Sequence, residues 1–315
     1  MSPSFRSTLL GDLEVDLEID AKIGAKTYYA IGGTADVLVR PQSANALSIL
    51  LRRCHDDEIP CRIFGKGANI LVDDVGVDGI VVKLDHQCFT TTRFNRENGV
   101  DSLHAMCGAD VAKIVMETVR RGLDGLTAMA GIPATVGGAI RMNAGGIYGC
   151  ISDALSTVTC LSNVGELVTY SKNEIIFGYR ECRIPEPLIL SATFNLHECD
   201  PIELRNRVKE IYDWKISRQP LAESSAGCVF KNPQANDGTR ISAGKIIDDS
   251  GLKGLSIGGA SVSEQHANFI TTKPDATAHD VIALVNEIKK QVLAQTNIVL
   301  QEEIVVWSRN QEVQR

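Results

Sequence analysis

Residues 130–149 read AGIPATVGGAIRMNAGGIYG, and six of these twenty positions are glycine, with Gly125 a seventh just upstream. A packed core needs side chains. A main chain this bare is therefore either a tight loop crossing or a surface against which something flat or phosphorylated lies. Pro133 fixes one φ, Gly137 and Gly138 permit close approach of the backbone, and Asn143 begins a second turn through Gly145 and Gly146. The pattern GxGxxG is not met in a strand–turn–helix setting, which argues against a Rossmann domain. A shorter glycine turn, GKGAN at 65–69, directly follows the strand-like CRIF. Its N–H groups could converge on an anion, or it could simply close a hairpin. It is not a P-loop, because no Gly-Lys-Ser/Thr follows at the required spacing.

Around these turns the chain falls into three sections. Residues 1–85 alternate short strands and helices: DVLVRP (36–41) reads as a strand, SANALSILLRRCHD (43–56) as a helix capped by Ser43, and GIVVKL (79–84) as a strand. Residues 86–203 hold the strand LHAMCG, the helix DVAKIVMETVRRG, the glycine-rich stretch, and the strands STVTCL, ELVTYS and LILSATFNL. Residues 204–315 look like a separate α+β unit. It begins within an amphipathic helix, PIELRNRVKEIYDWKISRQP, stopped by Pro220. A second long helix, DATAHDVIALVNEIKKQVLAQT, precedes a final strand, LQEEIVVW, expected to return to the active site.

Composition narrows the function. The 315 residues carry a net charge of −7 and 5% aromatics, so neither a basic face nor a stacking platform for nucleic acid is expected. The longest apolar runs are too short for a bilayer, and MSPSFRSTLLGDLEVDLEID lacks the layout of a secretory signal. Nine scattered cysteines without a CxxC pair read as reduced thiols in a cytoplasmic protein, with no metal site.

Several segments occur in a telling order: IGGTADVLVRP, GKGANILVDD, AGIPATVGGAIRMNAGG, FGYREC, QPLAESSAGCVFKNP, AGKIIDDSGLKG, GGASVSEQHANFI and LQEEIV. The chain resembles the UDP-N-acetylenolpyruvoylglucosamine reductase (UDP-N-acetylmuramate dehydrogenase) family of bacterial cell-wall synthesis over residues 25–306. The resemblance implies an α+β chain: two subdomains forming an FAD-binding fold of the PCMH, or vanillyl-alcohol-oxidase, type, then a C-terminal substrate domain. The spacing resembles the family's shorter form, without an extra tyrosine-bearing loop. The implied reaction uses FAD as cofactor and NADPH as co-substrate. Hydride goes to C3 of the enolpyruvyl ether of UDP-N-acetylglucosamine and a proton to C2. Beyond these small molecules no partner is implied, and a monomer or weak homo-oligomer is expected.

The same resemblance implies roles. FAD would meet Gly65, Lys66, Gly67, Ala68 and Asn69 in one turn, and Ala130, Gly131, Ile132, Pro133, Thr135, Val136, Gly137, Gly138, Asn143 and Gly145 in the other. Arg180 matches the catalytic arginine, whose fork suits the charge that builds on the substrate carboxylate. Glu303, on the face of its strand opposite Glu302, matches the acid that polarises that carboxylate; burial beside another carboxylate would keep it protonated. Cys228 stands where the family has a proton-donating serine. A thiol is a competent general acid, with a reference pKa of about 8.5. Arg218, Lys231 and Asn232 flank this loop as candidates for the uridine diphosphate. Two departures stand out. Ala30 occupies the arginine position of the family's Phe-Arg-Ile-Gly-Gly, and Ala68 that of the serine in Gly-Gly-Gly-Ser-Asn; Lys66 could return some charge for phosphate. These departures admit a second reading: a flavin- or nucleotide-sugar-binding homologue with weakened catalysis.

Overall fold

A computed structural model of the protein describes residues 9–235 and 238–309. The first sheet is built from β1 (Val15–Ala21), β2 (Ala35–Pro41), β3 (Cys61–Phe64) and, after the short β4 (Ile70–Val72), β5 (Val77–Lys83). Its order is β1-β2-β5-β3; β1 runs antiparallel to β2, and the other pairings are parallel. The central strands are buried on both faces, as parallel strands must be. Val37, Val39, Ile80 and Val82 pack on Leu47, Leu50 and Leu51 of α1 (Ala44–Asp56), while Leu38, Val81 and Phe64 face the opposite side. Ser43 starts α1, its hydroxyl accepting from Ala46 N at 3.1 Å.

The second sheet contains β6 (Thr92–Glu97), β7 (Val100–Met106), β8 (Leu155–Leu161), β9 (Leu167–Ser171) and, beyond the hairpin of β10 (Ile176–Gly178) and β11 (Glu181–Arg183), β12 (Leu188–Glu198). The strands run antiparallel in the order β9-β8-β12-β7-β6. Its helices are α2 (Val111–Arg121), the short α3 (Val136–Arg141) and α4 (Pro201–Arg218). Val111, Ile114, Val115 and Val119 of α2 share one core with Leu204, Val208 and Ile211 of α4. Neither β1 nor β6 is expected from the sequence. Their segments, VDLEIDA and TRFNRE, are dense in charge, and both lie at sheet edges where one flank is solvated and the apolar signal weak.

The third unit packs α5 (Ala243–Asp249) and α6 (Ala278–Thr296) with β13 (Ser256–Ile257), β14 (Ala260–Val262) and β15 (Ile270–Thr272). Its core also takes Tyr29, Ile31 and Leu71 from the first section of the chain. β16 (Val305–Trp307) crosses back and pairs in parallel with β4, Val305 opposite Ile70 and Trp307 opposite Val72. The first and last parts of the sequence are thus zipped together.

This zipper constrains Gly32. Its φ is +100°, and a Cβ there would stand 1.9 Å from the carbonyl oxygen of Val72, beside the β4–β16 pairing. Gly32→Ala therefore combines backbone strain with a main-chain clash, and we expect a loss of roughly 2–6 kcal/mol. Urea unfolding should show this as a lower midpoint at unchanged slope.

Candidate active site

Three loops meet around the returning chain. The β10–β11 hairpin closes through Tyr179 and Arg180, with Gly178 opposite Glu181. Arg180 takes φ +56°, a region that non-glycine residues avoid and that costs about 1–3 kcal/mol. The strain aims its guanidinium at Glu303, whose Oε1 accepts from Arg180 Nε at 2.6 Å. Both Nη groups remain without a protein hydrogen bond among the described residues, so one edge of the fork stays open to a second carboxylate.

Glu303 sits just before β16. Its N–H donates to Val229 O at 2.7 Å, its carbonyl accepts from Asn69 Nδ2 at 3.0 Å, and Val305 N donates to Asn69 O at 2.9 Å. Neighbouring Glu302 points away and pairs with Lys289 of α6 at 2.7 Å. The two adjacent acids thus point to opposite sides of the chain just ahead of β16. Burial raises the Glu303 carboxyl above its usual range, against the pull of the Arg180 and Lys231 charges. The groups facing it are cations, so the second carboxylate expected from the sequence is not the cause; desolvation is.

Cys228 lies in the preceding loop, half-buried, forming a single bridge to Phe269. Burial pushes its thiol up to about 12, with the Glu303 charge adding and Arg180 opposing. The thiol is a weaker acid here than its reference value implies, yet it holds its proton throughout the working range. Asn268 shapes the loop, accepting from Phe230 N at 2.9 Å and donating to Phe230 O at 2.8 Å like a strand neighbour. Cys182, in β11 itself, is buried opposite Phe177.

The glycine segments converge on this assembly. Gly137 and Gly138 lie in α3 rather than in an open loop, and a Cβ on Gly137 would press within 3.1 Å of Cys107, so close packing accounts for that glycine. Thr135 caps α3 by accepting from Gly138 N. A Cβ on Gly65 would come within 2.9 Å of Thr135 Oγ1, which brings the two stretches face to face. Asn143 donates to Gly178 O at 2.9 Å, and its buried Oδ1 has no partner. Among the described residues, the N–H groups of Lys66, Gly67 and Ala68 donate to no protein acceptor. A bare, donor-rich cleft with an orphaned buried acceptor fits FAD, whose phosphates need N–H donors and whose ring needs a flat main-chain bed. Lys66 is paired in this cleft, its ammonium 2.5 Å from Asp110 Oδ2.

The diphosphate candidates divide. Lys231 belongs to the cluster, its charge reaching both Glu303 and Glu181. Asn232 is partly committed, since its Oδ1 accepts from Ala243 N at the start of α5. Arg218 is exposed, with its guanidinium 5.3 Å from the Trp214 ring, and no hydrogen bond joins it to the Arg180–Glu303 pair. Sequence reasoning passes over Lys215, whose ammonium donates to Ala130 O at 2.5 Å, and over Tyr179, whose ring lies 3.9 Å from the Arg240 guanidinium.

Residues 219–307 match the C-terminal domain of UDP-N-acetylenolpyruvoylglucosamine reductase, and residues 35–171 match an FAD binding domain. The reductase of Syntrophobacter fumaroxidans is 34% identical over 304 residues, covering 95% of this chain and 86% of its own. This chain belongs to the UDP-N-acetylenolpyruvoylglucosamine reductase family. The Heliobacterium modesticaldum reductase is 36% identical over 282 residues, spanning 89% of this chain and 87% of its own. The crystal structure of the Thermus caldophilus reductase superposes with a TM-score of 0.77 at 33% identity, covering 94% of this chain and 99% of that one. The fold is the α+β, PCMH-type FAD-binding fold with a C-terminal reductase domain.

Two outcomes follow from the geometry. Asn268→Ala strands the main-chain groups of Phe230 and should lower stability by about 1–3 kcal/mol, read by thermal melting. If catalysis needs Glu303 protonated, kcat/KM falls as pH rises through its raised pKa, because the proton is then lost. Glu303→Gln, neutral at every pH, should abolish that limb of the profile.

Proposed function

We propose that the protein reduces the enolpyruvyl ether of UDP-N-acetylglucosamine to UDP-N-acetylmuramate, a peptidoglycan precursor, with NADPH as reductant. The observation that carries this reading is the Arg180–Glu303 pair beside Cys228, in a chain holding both an FAD-binding and a reductase domain. FAD, when bound, supplies the hydride chemistry. The 65–69 and 130–145 segments would hold it, with main-chain N–H groups directed at its phosphates.

The chain's own residues do the rest. The open Nη edge of Arg180 receives the substrate carboxylate and stabilises the charge that builds there as C3 is reduced. Protonated Glu303 donates a hydrogen bond to the same group, drawing electron density away from the double bond. The Cys228 thiol then gives its proton to C2. Lys231 and the remaining Nδ2 of Asn232 face the diphosphate side. Arg218, exposed at the end of α4, would meet the nucleotide only at the rim.

A reducing, cytoplasmic setting is supported by nine cysteines that are all free thiols. Among the described residues no helix is long and apolar enough to cross a membrane. A second reading, a binding homologue with weakened catalysis, draws on the buried Cys228 thiol and on Ala30, which lacks a side-chain charge and sits at φ +57°.

An anaerobic titration separates the two readings. NADPH should bleach the flavin absorbance and the enolpyruvyl nucleotide should restore it; a protein that does neither is no reductase. Cys228→Ser should retain most turnover and Cys228→Ala should lose it, with flavin bleaching intact in both. Full turnover by the alanine variant would remove the thiol from the mechanism. Arg180→Lys, which keeps charge but loses the fork, should lower kcat by about a hundredfold.

A further inference from the structure

The β10–β11 turn is strained, and something has to hold it. Arg180 is the second of its two central residues and sits at φ +56°, where turn chemistry prefers glycine. Such a conformation persists only when its surroundings impose it. Two restraints come from the cleft: Asn143 donates to Gly178 O at 2.9 Å, and Glu303 accepts from Arg180 Nε at 2.6 Å. The other central residue, Tyr179, is held by a different part of the chain. Its hydroxyl accepts from Asn232 N at 3.3 Å, and the Arg240 guanidinium lies 3.9 Å from the centre of its ring.

Arg240 is fixed by the same peptide. Its Nη1 donates to Asn232 O at 3.1 Å, Gln234 and Arg240 form a bridge, and Ile241 N donates to Pro233 O at 2.9 Å. Asn232 is anchored in turn, its Oδ1 accepting from Ala243 N at 2.9 Å. Ring, guanidinium and peptide thus close a circuit of three contacts, each restraining the other two. The ring joins this circuit to the reacting groups. The guanidinium carbon of Arg180 is 5.2 Å from the same ring centre. Burial raises the Tyr179 phenol above its ordinary value; the Asn232 N–H and the Arg180 charge oppose this, and the charges of Glu303 and Cys228 add to it.

An exposed arginine stacked on a tyrosine is a weak contact taken alone. Here it bears on a turn whose second residue must present a planar fork, and a small rotation of that turn would carry the fork off its carboxylate. We propose that Arg240 is a positioning residue for the reduction of the enolpyruvyl group: stacked on Tyr179 and bonded to Asn232, it holds the strained turn so that Arg180 points at Glu303. The inference rests on the reductase reading above and deepens it. Arg240 acts through Tyr179 and Arg180, without touching the reacting atoms.

The test uses FAD-loaded protein and the variants Arg240→Ala and Arg240→Lys, each also made in the Arg180→Lys background. Stopped-flow absorbance separates flavin reduction by NADPH from flavin reoxidation by the enolpyruvyl nucleotide, and thermal melting follows the fold. In Arg240→Ala, reoxidation should slow roughly three- to tenfold while reduction changes less than twofold. Arg240→Lys, which keeps a cation over the ring, should recover part of the loss. With Arg180 already replaced by lysine, Arg240→Ala should add less than twofold, because the group it positions is gone. Losses that multiply in the double variant, or that strike both half-reactions equally, would overturn the proposal. A ligand-free readout stands beside these rates. The Arg180 Nε–H resonance, assigned by its disappearance in Arg180→Lys, should shift in Arg240→Ala as its bond to Glu303 loosens; a resonance that stays in place would also overturn the proposal. Wild-type protein whose reduced flavin the nucleotide cannot reoxidise would sink the reductase reading, and the Arg180 resonance would then decide the positioning role by itself.

Discussion

Glu303 is gripped through its main chain from two directions. Its N–H reaches the Cys228 loop at Val229 and its carbonyl takes the side chain of Asn69, from the turn that follows β3. Residues from the first, middle and last parts of the sequence therefore meet at one peptide. Its carboxylate then completes the convergence by taking Arg180 Nε from the second sheet. Displace that peptide, and the cation loses its orienting partner while the thiol loop loses a backbone donor.

The chemistry depends on how few opposing charges the cleft contains. Burial shifts both the Glu303 carboxyl and the Cys228 thiol toward their protonated forms, against the pull of the Arg180 charge. Together with Arg180 and Lys231, these two groups suit the anionic substrate proposed for the site. The strained backbone of Arg180 fits the same account: conformational energy is held where the guanidinium must point, and the surrounding hairpin bears it.

Much of this was legible in the amino-acid order. The strands and helices of the parallel core announce themselves as apolar runs bounded by caps and prolines, because burial on both faces leaves no polar alternation to confuse them. Arg180, Glu303 and Cys228 are marked by long motifs around them. Edge strands β1 and β6 were not legible, since solvated edges accept charged residues and thin out the apolar signal. Lys215 was hidden for another reason: within α4 it is one basic residue among several on an amphipathic helix, and only packing shows which of them is desolvated. The partner of Lys66 was hidden in the opposite sense, because the acid it pairs with, Asp110, is 44 positions away.

By itself the sequence determined which local structures form, and which chemical types stand at each motif, since capping, periodicity and turn preference act over a few residues. Tertiary structure alone decided how those types are tuned. Whether an ammonium is matched or unmatched, whether a thiol is an easy or a reluctant acid, and which of two adjacent glutamates faces the guanidinium all depend on neighbours brought from far along the chain. Electrostatic energy is set by distance in space and by the water excluded there, and neither quantity is written in sequence separation.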